Sequence, residues 1–394
     1  MIRDGIKAGK SFHPEIEHYY SKNHSTKVLV FFGEPLSYGG QEAFRINRYS
    51  NFNDKNIHYT FVTPFHADNV KFRQRIKDKG DNLVHFEYPF ESRKRKSYIV
   101  KAAKSVLKSN EYDVIHIQSG SVYTLLEVAK LAKKYGVKKV IVHSHAAGFN
   151  NFKYRLIKKY SDKRIGKYAD TFFACSQIAG EWKFPKEILS SDKYRVIDNG
   201  IQTGTYQFDS ETRNRIREKL SIPSSALTFI HVGRFAIEKN HAFFYSLLPR
   251  VFKQYPQSRF IFVGAGDTKP AFIEKRKELN LSDHILYLEN ITNVNEVLMA
   301  GDIFLFPSLY EGFPRTLVEA QASGLEIIFS DKITKDCRMT KDIYQLPLDS
   351  NIWMSKINEI VPRLSNEKRP EKAKLVADKG YDASKSAKVL EDTY

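Results

Sequence analysis

At 394 residues, 42% hydrophobic and 13% aromatic, the chain is too long for one compact core and suits two domains of roughly 200 residues each. That composition excludes wholesale disorder. The formal net charge of +18 draws anions, so nucleic acid, nucleotide phosphates and anionic membrane are all candidate partners. Two cysteines, Cys175 and Cys337, show no metal-ligand spacing and no disulfide framework, which favours a reducing compartment.

Residues 1–26 read as a polar leader without the apolar core of an export signal. No run approaches the roughly 20 apolar residues that span a bilayer, so a soluble, cytoplasmic protein is expected. "GKS" at 9–11 is not a phosphate loop. The glycine required five residues before Gly9 is Asp4, and no strand precedes it.

The first strand is expected in "KVLVFFG" (27–33), followed by a loop with Gly39 and Gly40 and a helix over about 41–51. Further strands follow in "IHYTFVT" (57–63), "NLVHFEY" (82–88), "YDVIHIQ" (112–118), "KKVIVHSH" (138–145) and "DTFFACS" (170–176). Segments such as "SVYTLLEVAKLAKKYG" between them carry helical period. An irregular stretch, "YRVIDNGIQTGTYQF" (194–208), interrupts the rhythm. It resumes with "LTFIHVG" (227–233), "SRFIFVGAG" (258–266), "HILYLEN" (284–290), "DIFLFPS" (302–308) and "LEIIFSD" (325–331).

Strand and helix alternating in this way mean parallel sheets with helices on both faces. The fold class is therefore α/β, with two doubly wound, Rossmann-like domains over 27–197 and 206–375 facing across a cleft. A C-terminal helix over 376–394 is expected to pack back toward the first domain. Ligands of such sheets bind at the carboxyl ends of the strands. His145, Arg234, the Gly264-Ala265-Gly266 turn and Glu311 all fall there.

Arg234 and Lys239, in "HVGRFAIEKN", are spaced to clamp a diphosphate, Arg by forking onto two oxygens and Lys as a mobile charge. In "PSLYEGFPRTLVEA" (307–320), Pro314 suits a first helical turn. The amides of Arg315, Thr316 and Leu317 would then face an anion. Glu311 on the preceding loop can take sugar-like hydroxyls. Glu319, inside the helix, would repel phosphate, so a ribose diol is its expected partner. "HSH" at 143–145 lacks a nearby carboxylate ligand and reads as no metal site.

Glu311 and Glu319, separated by seven residues, resemble the E-x7-E signature of family 4 glycosyltransferases, which are retaining GT-B enzymes. The resemblance extends over nearly the whole chain, through "GGQEA", "VIDNGI", "GRFAIEKNH" and "VGAGD". It is closest to enzymes of bacterial capsule and exopolysaccharide synthesis. It implies a UDP-sugar donor and no metal cofactor. Glu311 would bind donor-sugar hydroxyls, Glu319 the ribose, and Arg234 with Lys239 the diphosphate. The backbone from Phe313 through Pro314 to Leu317 would support sugar and phosphate. His145 would face the donor sugar, and Gly39 and Gly40 would let backbone approach the donor phosphates and acceptor. One departure is Glu326, where the family usually has proline.

The resemblance also implies a saccharide acceptor, expected on a polyprenyl diphosphate at the inner membrane face. "FKYRLIKKYSDKRIGKY" (152–168) interleaves apolar and basic residues as a surface-binding helix would. Three other readings compete. A glycosidase using the two glutamates leaves Arg234 and Lys239 without a task. A nucleotide-sugar epimerase would need no acceptor. A nucleic-acid-binding protein would explain the charge, yet no aromatic–basic module appears and the cations avoid the predicted site, so no nucleic-acid partner is expected.

Overall fold

The computed structural model describes residues 15–17, 26–37, 48–109, 111–145, 152–197, 200–289, 291, 293–311 and 313–394. The chain divides into two compact units. The first comprises residues up to Asn199 together with Ser386–Tyr394, and the second Gly200–Lys385.

Among the described residues eight strands build the first unit: β1 Glu15–Glu17, β2 Thr26–Phe32, β3 Ile57–Thr63, β4 Asn82–His85, β5 Val114–Ser119, β6 Lys139–Ser144, β7 Thr171–Ala174 and β8 Tyr194–Val196. Their order is β1-β4-β3-β2-β5-β6-β7-β8. All neighbours are parallel except β1, which runs antiparallel to β4 with Ile16 opposite Val84. Alternation along the strands splits the core between the two faces. Leu29, Phe31, Ile115, Ile117, Val140 and Val142 pack with Ile99, Val106, Leu125 and Val128 of two helices. Val28, Val30, Phe32, Ile141 and Phe173 pack on the other face with Phe72, Ile76, Ala387 and Leu390.

The second unit holds β9 Thr228–Val232, β10 Arg259–Val263, β11 Ile285–Leu288, β12 Ile303–Phe306, β13 Glu326–Ser330 and β14 Ile343–Leu346, ordered β11-β10-β9-β12-β13-β14. In both sheets the order reverses beside the unit's first parallel strand, between β2 and β5 and between β9 and β12. The crevice at such a reversal is where doubly wound sheets take their ligands.

Several expectations need correction. The 1–26 stretch is not only a leader, because it supplies β1. A three-residue strand is held by backbone pairing and leaves little side-chain pattern to read. Likewise, the irregular 194–208 stretch contains β8 and a 3-10 turn over Thr203–Tyr206, and β14 was not anticipated. Gly39, Gly40 and most of the helix expected over 41–51 lie outside the described residues.

Of the stretch expected to pack back onto the first unit, residues 376–385 belong to the second. Val376 and Tyr381 there are buried with Ile201 and Val318. The first unit takes up the chain from Ser386, in helix Ala383–Glu391. Glu391 Oε1 accepts from the Asn53 and Asp54 amides at 2.8 and 2.9 Å and fixes that helix to the β2–β3 connection.

Gly264, just beyond β10, has φ +145°, and a Cβ there would lie 2.1 Å from the Gly233 carbonyl oxygen. Its amide donates to Leu288 at 2.9 Å. Gly264→Ala combines an unfavourable φ with a backbone clash and is expected to cost about 2 kcal/mol or more. A thermal unfolding midpoint lowered by several degrees checks this.

Candidate active site

At the reversal of the second sheet, the segment after β9 and the segment after β12 are tied together. Leu309 donates its amide to Glu238 O at 2.8 Å, and Asn240 Nδ2 donates to Pro307 O at 3.1 Å. Asn240 adopts φ +53°, which turns the chain after the 3-10 helix Ile237–Lys239. Lys239 thereby closes a short turn rather than opening the next α-helix, which starts at Phe244.

Arg234 and Lys239, both expected on a donor diphosphate, each hold a carboxylate in the fold. Lys239 Nζ lies 2.6 Å from Glu311 Oε1, with both side chains largely buried at 15% and 13% exposure. Arg234 is 71% exposed and bonds Glu238 Oε1 at 2.6 Å. Its guanidinium and the carboxylate's own backbone amide both help to hold the Glu238 carboxyl below its ordinary range, the amide contributing more. The crevice thus presents two carboxylate–cation pairs, one inside and one at its mouth. A pair of this kind can exchange its internal partner for ligand, the cation going to phosphate oxygen and the carboxylate to hydroxyl.

Pro314 does not sit in the first helical turn. It precedes helix Arg315–Ala322 with φ −81° and ψ 84°, and Arg315 donates its amide to Phe313 O at 3.0 Å across it. That is an inverse γ-turn, a conformation open to the proline ring. Leu317 donates to Pro314 O at 3.0 Å, so two of the three amides expected to face an anion already have acceptors in the turn. Phe313 stacks on Tyr381 with centroids 5.5 Å apart. Thr316 is half-buried on the first turn and Leu317 is in the core.

Glu319 is buried beneath this turn, with Arg315 Nη2 3.5 Å from its Oε1. Burial raises its carboxyl above the ordinary range, while Arg315 and a hydrogen bond from Tyr206 act against that rise. Gln321 anchors the same helix, donating from Nε2 to Leu317 O and Cys337 O and accepting from the Met339 and Thr340 amides.

In the first unit, His145 directly follows β6 and is buried, its amide 3.3 Å from Ser119 O and its ring 4.2 Å from that of His143. Glu34, just after β2, accepts from Ser119 Oγ at 2.8 Å and the Gly120 amide at 3.1 Å, so it occupies that sheet's own reversal. Sequence reasoning passed over Glu34, Glu238 and Tyr206. The first two were findable as carboxylates at strand ends. Tyr206 sits in the stretch read as irregular and carries no local signal.

Glu326 begins β13, at the end of the sheet opposite this crevice. It lines a cavity of about 660 Å³ with Asp342, Tyr344 and Arg363 that contains none of the expected site residues. Among the described residues no group of three or more His, Cys, Asp or Glu is placed to hold a metal.

Two Rossmann-like units with these sheet orders define the GT-B architecture. The solved structure of HepE from Anabaena in complex with UDP superposes with a TM-score of 0.72, at 16% identity, over 93% of this chain and 99% of that one. Adjacent family models match the sequence, "Glycosyltransferase Family 4" over residues 38–205 and "Glycosyl transferases group 1" over 212–345. They take in most of both units, and the chain belongs to this glycosyltransferase family. EpsF of Bacillus subtilis, assigned as a glycosyltransferase, is 26% identical over 384 residues, covering 94% of this chain and 97% of that protein. The Escherichia coli UDP-Gal:alpha-D-GlcNAc-diphosphoundecaprenol alpha-1,3-galactosyltransferase is also 26% identical, over 67% of this chain and 69% of its own.

Proposed function

We propose that this glycosyltransferase moves a hexose or N-acetylhexosamine from a UDP-sugar to a lipid-linked saccharide, with retention at the anomeric carbon, in cell-surface polysaccharide synthesis. The observation that carries the reading is the Lys239–Glu311 pair at the β9/β12 reversal, with Glu319 buried on the following helix. Lys239 and Arg234 take the diphosphate, Glu311 the sugar hydroxyls and Glu319 the ribose. His145 acts on the donor sugar. The acceptor hydroxyl attacks the face that the departing diphosphate leaves and passes its proton to that diphosphate. The cations stabilise the leaving charge, so no metal is required.

Calorimetric titration with UDP and a panel of UDP-sugars, in the presence of a chelator, tests this on the wild type and on Glu319→Ala and Arg234→Ala. Binding to the wild type, weakened about tenfold or more in Glu319→Ala, is the expected result. Failure of UDP to bind would overturn it. Conversion of the donor without any acceptor would favour the epimerase.

The homologous galactosyltransferase is named for an undecaprenol-diphosphate acceptor, which supports a lipid-linked acceptor here. Helix Phe152–Asp162 exposes Leu156 and Tyr160 one turn apart, among exposed Arg155, Lys159 and Lys163. Such a face suits an anionic bilayer surface, each cation contributing about 1 kcal/mol there. Co-sedimentation with phosphatidylglycerol vesicles, but not with phosphatidylcholine vesicles, is expected. Lys159→Glu with Leu156→Glu should abolish it while leaving UDP affinity unchanged.

A further inference from the structure

Behind His145 the first unit buries a line of polar rings that the proposed chemistry does not use. Tyr394, beyond helix Ala383–Glu391, places its Oη 2.7 Å from His116 Nδ1. His116 Nε2 is 3.1 Å from His143 Nδ1. The His143 ring stacks on His145 with centroids 4.2 Å apart and planes 30° from parallel. His116, in the middle of β5, and His143, next to the carboxyl end of β6, are wholly buried. Imidazoles are out of place at sheet positions otherwise filled by Val and Ile, unless their nitrogens have work that apolar side chains cannot do.

Two assignments of the protons satisfy the two contacts, one with the Tyr394 hydroxyl donating and one with it accepting. Burial, with the Arg48 guanidinium adding to it, pushes the His116 pKa down to about 3, so the ring is neutral and carries a single N–H. We take the Tyr394 hydroxyl, which can donate or accept, to donate to His116 Nδ1. His116 Nδ1 then accepts, its hydrogen sits on Nε2, and that hydrogen is donated to His143 Nδ1. An accepting Nδ1 leaves the His143 hydrogen on Nε2. One hydroxyl therefore selects the tautomer of two rings in succession.

We propose that Tyr394 is a positioning residue for His145, acting through the fixed tautomers and ring planes of His116 and His143. The inference rests on the reading of His145 as a residue that acts on the donor sugar. It couples the segment after the last helix to the carboxyl end of β6, although Tyr394 touches no expected substrate group. Without the hydroxyl, both histidines can exchange tautomers and the platform under His145 loosens.

The experiment is long-range ¹⁵N–¹H correlation NMR of the imidazoles, combined with kinetics of UDP release from the UDP-sugar that titration selects. In the wild type, His116 and His143 should both show a protonated Nε2 and a bare Nδ1. Tyr394→Phe keeps the ring packed against Phe52 and Tyr59 and should give averaged tautomer signals at His116. Its kcat should fall about tenfold with donor KM unchanged, the mark of lost alignment rather than lost binding. His116→Gln, whose amide can both accept and donate, should retain more turnover than His116→Leu.

A wild-type His116 protonated on Nδ1 would overturn the proposal. So would a Tyr394→Phe enzyme with full kcat alongside a His145→Ala enzyme that has lost it. If His145→Ala itself keeps full turnover, the role of His145 falls and the positioning role with it. The tautomer signals would then show that the hydrogen-bonded line exists without serving the reaction.

Discussion

Lys239→Ala and Glu311→Ala are each expected to lower donor turnover by at least about 100-fold, and the double variant to be scarcely worse than either. The two side chains meet at 2.6 Å across 72 residues of sequence, nearly shielded from water. Removing either leaves the other as an uncompensated charge, which should also cost about 3 kcal/mol of stability. Part of that loss should return in the double variant, because the stranded charge goes too. The Lys239 ammonium lies 5.0 Å from the centroid of the Phe306 ring, a contact that favours a cation in the crevice over a neutral group. Thermal unfolding and UDP-release kinetics on the three variants form a double-mutant cycle. Strictly additive losses in both measurements would mean that the pair does not work as a unit and would remove the main support for the donor-site reading.

The second large effect concerns Glu319, where stability and binding should move in opposite directions. Glu319→Gln is expected to weaken UDP binding by about 10- to 100-fold, because in the proposed role a carboxylate that accepts from a ribose diol gives way to a neutral amide. At neutral pH the same variant should melt no lower than the wild type. The buried carboxyl has its pKa raised, chiefly by desolvation, so burial disfavours its ionised form. The folded carboxyl binds its proton more readily than the unfolded one. Acidification through the raised pKa therefore stabilises the wild type relative to the glutamine variant. The gain is complete below the ordinary value of 4.5. Melting curves from pH 8 to pH 4 check the sign. A wild-type advantage that grew toward alkaline pH would show Glu319 to be a stabilising carboxylate rather than one retained for its ligand.

The α/β alternation, the strand cores and the two glutamates with seven residues between them were legible because each is a local pattern. "IHYTFVT" is strand β3 without adjustment, since a parallel strand buried on both faces must be apolar throughout. Strands that carry little apolar load left no such trace. β1 and β8 are three residues long, and β14 has a single fully buried member, Ile343. Their existence depends on the strand they pair with, which for β1 lies some 70 residues along the chain, Ile16 opposite Val84.

At the site, sequence placed Arg234, Lys239, Glu311 and Glu319 at carboxyl ends of strands or in the helix that follows. It set Arg234 and Lys239 together as a diphosphate clamp and named no protein partner for either. The fold pairs Lys239 with Glu311, because β9 and β12 are neighbours at the point where the strand order reverses. Likewise, an inverse γ-turn at Pro314 occupies amides that helix propensity alone would leave open, and Tyr206 reaches Glu319 from a segment with no readable period. By itself the sequence determined the class of fold and the residue types at its strand ends, because burial periodicity and turn chemistry act within a few residues. Only the tertiary structure decided which charges become partners, because a Coulombic pair is set by distance in space, and strand order rather than chain order sets that distance.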